Sequence, residues 1–274
     1  KFYNSRIIAI HVNHGIRGSE SDGDMKFTQE FADSLGIEII TKFSSVPVER
    51  VKGESLESAA RRVRHREICN TAKNLNLDSV FLGHNKDDLA ETVLFNILRG
   101  TGIRGSVGIT EMSELDGVKF YRPLLGLRRK FLRDILRVRN LSWREDSSNN
   151  DDSYTRNFLR LNLLPLIESK INSAAIEHLA NFGEYMRESR EREDLYSRKL
   201  LDSCRDYNFS GIVLIRKKLR NLSVNDCALI IREAGRNLNL KTLSRGRCNE
   251  LAKLFTSPKK FIFQWCDKVI ITSH

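Results

Sequence analysis

The chain has 274 residues, 40% hydrophobic and 30% charged, enough apolar material for one large domain and a small one. A formal net charge of +11 and a pI near 9.5 favour a polyanionic partner, because Lys and Arg placed near phosphates release counterions. The five cysteines have wide gaps and no Cys-x-x-Cys, which argues against a disulfide framework or a cysteine metal site and fits a reducing cytoplasm; no apolar run nears the roughly 20 residues needed to cross a bilayer, and no signal peptide is recognised.

In chain order, residues 7–12 read as a fully buried strand. Ser21 and Asp24 form a capping box for a helix carrying Phe27, Phe31 and Leu35, with Gly36 as its stop. Residues 37–43 are a second strand. A connection with Pro47 and Gly53 leads to Ser55, the N-cap of a helix with Leu56, Ala59, Ala60 and Val63 on one face. Residues 79–83 are a third strand, 87–98 a third helix ended by Gly100, and 120–124 a short strand. This alternation predicts an α/β domain with a mainly parallel sheet and helices on both faces. Past Leu125 the pattern changes. Residues 127–138 form a basic amphipathic helix, 146–152 a polar loop, and 157–171 and 174–203 are helical, the second rich in Arg and Glu. Strand character at 211–215 and 261–271, with a helical stretch at 228–234, predicts a small α+β domain. The expected division is 1–150 for the α/β domain, 151–194 for a helical linker and 195–274 for the small domain.

Several clusters could carry chemistry. His11, Asn13, His14 and Arg17 close the first strand. Ligands of open α/β sheets bind at the carboxyl ends of strands, so these residues are candidates for a nucleotide pocket; a self-satisfied polar loop is the plain alternative. Gly83 and His84 leave the third strand, and Asp87, Asp88 and Glu91 follow on one face of the next helix. The helix dipole alone would stabilise such acids. Beside a strand-end histidine, Asp88 and Glu91 also suit Mg²⁺ shared with substrate phosphates, with His84 or a carboxyl as acid or base.

Arg61, Arg64 and His65 share the face opposite the apolar one, either a solvated cationic face or a wall of the same sheet edge. The glycine-rich stretch 99–105 follows a helix instead of opening one, so it is no dinucleotide fingerprint; a helix C-cap and loop explains its glycines equally well. Between Arg122 and Arg144, eight basic residues stand against Asp134 as the only acid. Phe131, Leu132, Ile135 and Leu136 form the expected buried stripe. Arg129, Arg133 and Arg137 recur every fourth residue, where like charges repel, so a polyanion is expected to face Arg129, Lys130, Arg133 and Arg137 on an exposed surface continuous with the cleft. Arg156 and Arg160 follow the acidic loop and either bind phosphate or pair with the acids.

Together and in this order, the segments 11–17, 60–65, 82–92, 100–105, 122–125 and 146–160 resemble the tRNA(Ile)-lysidine synthetases, of the N-type ATP pyrophosphatase or PP-loop superfamily. The likeness spans about residues 7–165. His65 stands where the family usually has tyrosine. The family's Ser-Gly-Gly-x-Asp-Ser loop does not occur in these 274 residues; in relatives it follows the strand preceding the one read at 7–12. That strand would otherwise keep an unpaired edge, so the segment is expected upstream of Lys1.

The resemblance implies an adenine nucleotide alpha hydrolase-like fold and a cytoplasmic ligase that uses ATP and Mg²⁺. Its partners would be tRNA(Ile) with a CAU anticodon, L-lysine and a second copy of the chain in a homodimer. ATP would adenylate the C2 oxygen of the wobble cytidine, and lysine would displace AMP to give lysidine. By motif position His84, Asp88 and Glu91 would be catalytic, with the last two holding metal. His11, Asn13, His14, Arg61 and Gly83 would bind ATP. Arg129, Lys130, Arg133, Arg137, Arg156, Arg160 and the small domain would bind tRNA. Another PP-loop tRNA-modifying enzyme, such as a thiolase, and a non-catalytic RNA-binding descendant remain the alternatives; thiolases of that kind use paired cysteines.

Overall fold

The computed structural model describes residues 6–145, 155–209, 211–266 and 269–273. The polar loop expected at 146–152 lies outside the described residues. The chain divides into two compact units, Lys1–Gly183 and Glu184–His274.

The first unit opens with β1 (Ile8–Asn13), α1 (Ser19–Ser34) and β2 (Glu38–Phe43), and β1 pairs parallel with β2 from Ile8↔Glu38 to Asn13↔Phe43. After α2 (Val46–Glu49), α3 (Leu56–Asn74) starts where Ser55 Oγ accepts the Ser58 N–H. Then come β3 (Ser79–Phe81), α4 (Lys86–Leu98), α5 (Ile103–Ser106), β4 (Met112–Leu115) and β5 (Val118–Tyr121). β3 pairs parallel with β5, and β4 pairs antiparallel with β5.

The fold is α/β with parallel pairing, as the alternation predicts. Among the described strands, however, the ladders form two hydrogen-bonded groups, β1–β2 and β3–β5–β4, and not one continuous sheet. Both feed one core. Ile68, Cys69 and Ala72 of α3 pack on Val118 and Phe120 of β5, with Ile10 and Val12 of β1 and Val80 of β3 around them.

Three local expectations need correction. α1 begins at Ser19 behind Gly18, whose φ is 52°, with no side-chain cap. Ser21 and Asp24 therefore lie inside the helix, and Asp24 instead pairs with Arg17 and Arg144 at 2.7 Å each. The strand expected at 120–124 runs from Val118 to Tyr121, because it is one arm of a hairpin turning at Asp116-Gly117, both at positive φ. α6 (Arg129–Val138) buries none of its residues: Phe131 is 52% and Ile135 37% exposed, so the stripe read as buried is partly open.

α7 (Thr155–Phe158) runs through a π-helical turn (Leu159–Leu163) into α8 (Leu164–Lys170). Pro165 sits at the start of α8 and has no N–H, so the Leu161 carbonyl lacks its ordinary helical donor, and the widened turn absorbs the mismatch. α9 (Ala175–Cys204) follows.

In the second unit, β6 (Arg205–Asp206) pairs antiparallel with β7 (Val213–Leu214), and α10 (Arg216–Leu219), α11 (Val224–Asn237) and α12 (Arg245–Thr256) follow. The strand expected over 261–271 is a hairpin of β8 (Ile262–Cys266) and β9 (Val269–Thr272). This unit has its own core, with Ile230, Ile231, Leu251, Phe255 and Trp265 at its centre. A Cβ on Gly235 would lie 2.6 Å from the Trp265 ring, so the glycine is what lets β8 approach α11.

Candidate active site

In the first unit a cavity of about 480 Å³ opens at the carboxyl end of β1. β1 and the turn after it supply His11, Asn13 and His14; α3 supplies Glu57, Arg61, Arg64 and His65; the start of α4 supplies His84, Asp88, Glu91 and Thr92; α7 and the π-helical turn supply Arg156 and Arg160. Residues far apart in the sequence, from His11 to Arg160, thus share one cavity. Gly83 does not line it, and Lys130, Arg133 and Arg137 lie elsewhere.

Each wall has a local cause. Asn13 is buried; its amide oxygen accepts the Gly15 N–H at 2.9 Å and its amide nitrogen donates to Asp22 at 3.2 Å. Its side chain therefore holds the turn after β1 as well as lining the cavity. Asn85 caps α4: its side chain accepts the Asp88 N–H at 3.1 Å, and Asp88 Oδ2 accepts the Asn85 N–H at 3.0 Å. Asp88 is a capping residue as well as a cavity residue.

The carboxylates are fully engaged. Asp88 Oδ1 accepts from Arg129 at 2.8 Å and Arg160 at 3.4 Å. Glu91 Oε1 accepts from Arg129 at 2.9 Å and Arg160 at 2.8 Å, and its Oε2 from Arg160 at 2.7 Å. Arg129 is therefore not part of an exposed cationic row; it turns inward and neutralises the site with Arg160. The bond with Glu91 raises the Arg160 pKa. Arg133 and Arg137 do face outward, with Glu145 at 2.6 Å and Asp134 at 2.8 Å as partners. Asp87 sits outside the cavity and accepts the Arg129 N–H at 2.7 Å.

All four oxygens of the Asp88–Glu91 pair thus accept N–H donors, with two arginines balancing two charges. That arrangement does not fit a directly bound Mg²⁺, which needs free oxygens in octahedral array. Among the described residues no group of three or more His, Cys, Asp or Glu is arranged to hold a metal.

The opposite wall is cationic. Arg61 and Arg64 have no hydrogen bond or ion pair with a carboxylate among the described residues. Both keep accessible surface, as residues lining an open cavity do. The surrounding walls still withdraw enough solvent to lower both pKa values; repulsion by Arg156 adds to this for Arg61 and repulsion by Arg61 for Arg64, while the Glu57 charge opposes both. Burial also pushes His84 down to about 4, and lowers His11, His14 and His65. The Nδ1 atoms of His14 and His84 are buried without a hydrogen-bond partner. Among the described residues, the cavity therefore offers two guanidiniums with no hydrogen-bonded carboxylate, two imidazoles of lowered pKa with an unpartnered nitrogen, and a balanced carboxylate pair.

Sequence reasoning singled out His11, His14, Arg61, His84, Asp88 and Glu91 for this site and noted Arg64 and His65 beside Arg61; Arg156 and Arg160, expected on tRNA, line the same cavity. It missed Thr92 and the inward role of Arg129, for which the sequence carries no signal, since that contact joins residues about forty positions apart.

The profile of the PP-loop domain family matches residues 2–167. The chain is 34% identical over 187 residues to the tRNA(Ile)-lysidine synthase of Caldanaerobacter subterraneus subsp. tengcongensis, covering 68% of this chain and 39% of that protein. It is 32% identical to that of Solibacter usitatus, covering 92% and 56%, and 31% identical to that of Chlorobaculum tepidum, covering 88% and 71%. The chain spans less than half the length of the first of these relatives. Among solved structures, the U34-tRNA thiolase NcsA of Methanococcus maripaludis superposes with a TM-score of 0.56 at 18% identity, covering 68% of this chain and 63% of that one, a likeness of fold.

Proposed function

Because the chain belongs to the tRNA(Ile)-lysidine synthase family of PP-loop proteins, we propose that it forms the ATP-using, base-modifying part of such an enzyme. ATP adenylates the C2 oxygen of the wobble cytidine in the CAU anticodon of tRNA(Ile), and pyrophosphate leaves. The side-chain amine of L-lysine then attacks C2, the C2–O bond breaks, AMP departs and the amine gives up a proton.

The observation that carries this reading is the Arg61–Arg64 pair. Both guanidiniums line the cavity, are solvent-accessible and have no hydrogen-bonded carboxylate among the described residues, so they are available to an anion that enters it. A phosphoryl group in transfer is such an anion, and fixed cations that need no reorganisation favour its transition state. His84 lines the cavity and is neutral near pH 7, so it can hydrogen-bond a reacting group there without adding charge. Asp88 and Glu91, held by Arg129 and Arg160, set the charge of the wall facing those cations. Since that pair does not fit Mg²⁺, no step is assigned to a metal on it.

The substrate tRNA is read as held by Lys130, Arg133 and Arg137 and by the basic second unit. The five free thiols and the absence, among the described residues, of a helix long and apolar enough to cross a membrane support a cytoplasmic setting. The test is nucleoside analysis of tRNA(Ile) after incubation with ATP, L-lysine and a protein carrying this chain. Lysidine is expected. ATP consumption without lysidine would assign the chain to another tRNA-modifying reaction.

A further inference from the structure

The glycine-rich stretch after α4 takes no part in the site described above, yet its closure is tightly specified. Gly100 has a φ of 73° and turns the chain out of α4. Asn96 Nδ2 donates to the Gly105 carbonyl at 2.7 Å, and the Ser106 N–H donates to the Gly102 carbonyl at 3.1 Å. A Cβ on Gly105 would lie 1.7 Å from Thr101 Oγ1, so only glycine permits this closure. The loop is folded back on the helix and fixes the root of Arg99.

The Arg99 guanidinium lies 5.2 Å from the centre of the Phe95 ring, and the Arg156 guanidinium 5.7 Å from the same ring. Both are within range of a cation–π contact. Arg156 also reaches Thr92 Oγ1 at 3.2 Å and Glu57 at 3.4 Å, two residues of the cavity wall. The stack thus starts at the cavity and ends at Arg99, which is exposed and has no carboxylate partner among the described residues.

A planar cation on an aromatic ring, with free N–H edges, matches one chemical class well. An unpaired nucleobase stacks on guanidinium and phenyl planes whatever its identity, and its phosphate meets the N–H groups. A base inside a duplex cannot offer its face. An acidic peptide would be drawn to the charge but gains nothing from the ring. We propose that Phe95, Arg99 and Arg156 form a stacking seat for an unpaired nucleotide of the RNA loop, next to the nucleotide that enters the cavity. This rests on the functional reading above.

The test is anisotropy with the full chain, using a labelled RNA hairpin with an unpaired loop and a blunt duplex of the same stem, over a range of salt. Phe95→Leu and Arg99→Ala should each weaken hairpin binding about tenfold and leave duplex and ATP binding unchanged. Arg99→Lys should keep the salt slope but lose affinity, because ammonium does not stack. Wild-type hairpin affinity in both Phe95→Leu and Arg99→Ala overturns the seat alone. So does an equal loss for hairpin and duplex, which marks a plain phosphate contact, or a parallel loss of ATP binding, which marks a structural role. A wild-type chain that binds neither RNA sinks the functional reading together with the seat.

Discussion

Glu91 is 3% exposed and, among the described residues, its charge is compensated by Arg129 and Arg160. Removing one partner of such a network leaves the rest uncompensated, which matters more than what the pair gains when intact. Glu91→Gln should therefore destabilise the protein by on the order of 2 kcal/mol, below the value for a fully buried pair because Arg160 stays 26% exposed. Asp88→Asn should cost less, since an amide oxygen can still accept the Asn85 N–H. If the pair sets the charge at the reacting phosphate, both variants should slow pyrophosphate release by at least ~100-fold with tRNA present. Near-normal release beside a lowered melting temperature would return both residues to structural duty. His84 offers a second test. Its folded pKa, about 4, lies below the ordinary 6.5, so its contribution to stability is present above about 6.5 and lost as pH falls towards 4. His84→Asn should flatten that part of the melting profile against pH; an unchanged acid limb would show that His84 takes up its proton as freely as in the unfolded chain.

At the scale of elements, what was legible depended on local pattern. β1, β2, α3 and α4 lie within a residue or two of where apolar spacing and caps put them. The β4–β5 hairpin was legible too and was missed: Asp-Gly between short apolar runs is the standard two-residue turn signal. The helix α12 also went unread, though Ser244 caps it. The π-helical turn was not legible in the same way, because it depends on how one missing N–H at Pro165 is accommodated. α6 shows where periodicity misleads. Its arginines at every fourth residue suggest one outward row, but Arg129 sits at the first position of the helix and meets α4 there. The row is two long, so the tRNA-binding expectation narrows. Arg133→Glu with Arg137→Glu should flatten the salt dependence of tRNA binding, by about one unit of slope for each phosphate that is no longer neutralised. Arg129→Ala should instead lower the melting temperature, leaving Asp88 and Glu91 short of a partner. Equal salt slopes for the double variant and wild type would make the outer face of α6 a solvated surface.

On the scale of the molecule, charge is distributed unevenly. The second unit, residues 184–274, holds nineteen Lys and Arg against eleven Asp and Glu, so most of the +11 excess of the whole chain sits there, and it is concentrated past residue 206, with thirteen against four. Past residue 206, several of these cations donate to backbone carbonyls. Arg216 donates to the Ser257 and Lys259 carbonyls and Arg220 to the Pro258 carbonyl at 3.0 Å. These bonds draw α10 and the turn at 257–260 together, and with them the exposed Lys217, Lys259 and Lys260. Such a patch repels itself in water, which is tolerable when a polyanion shares it. The same reasoning explains why the sequence led to the expectation of a polyanionic partner but to no footprint for it: composition counts charges, and only the fold says which of them become neighbours. If the second unit grips tRNA through its backbone, Lys217→Glu with Lys260→Glu should weaken binding of any tRNA alike and lower the slope of log affinity against log salt by roughly two. Pyrophosphate release at saturating tRNA should not change, because neither residue lines the cavity. A loss confined to one tRNA sequence would mean base recognition, and an unchanged slope would place the footprint elsewhere.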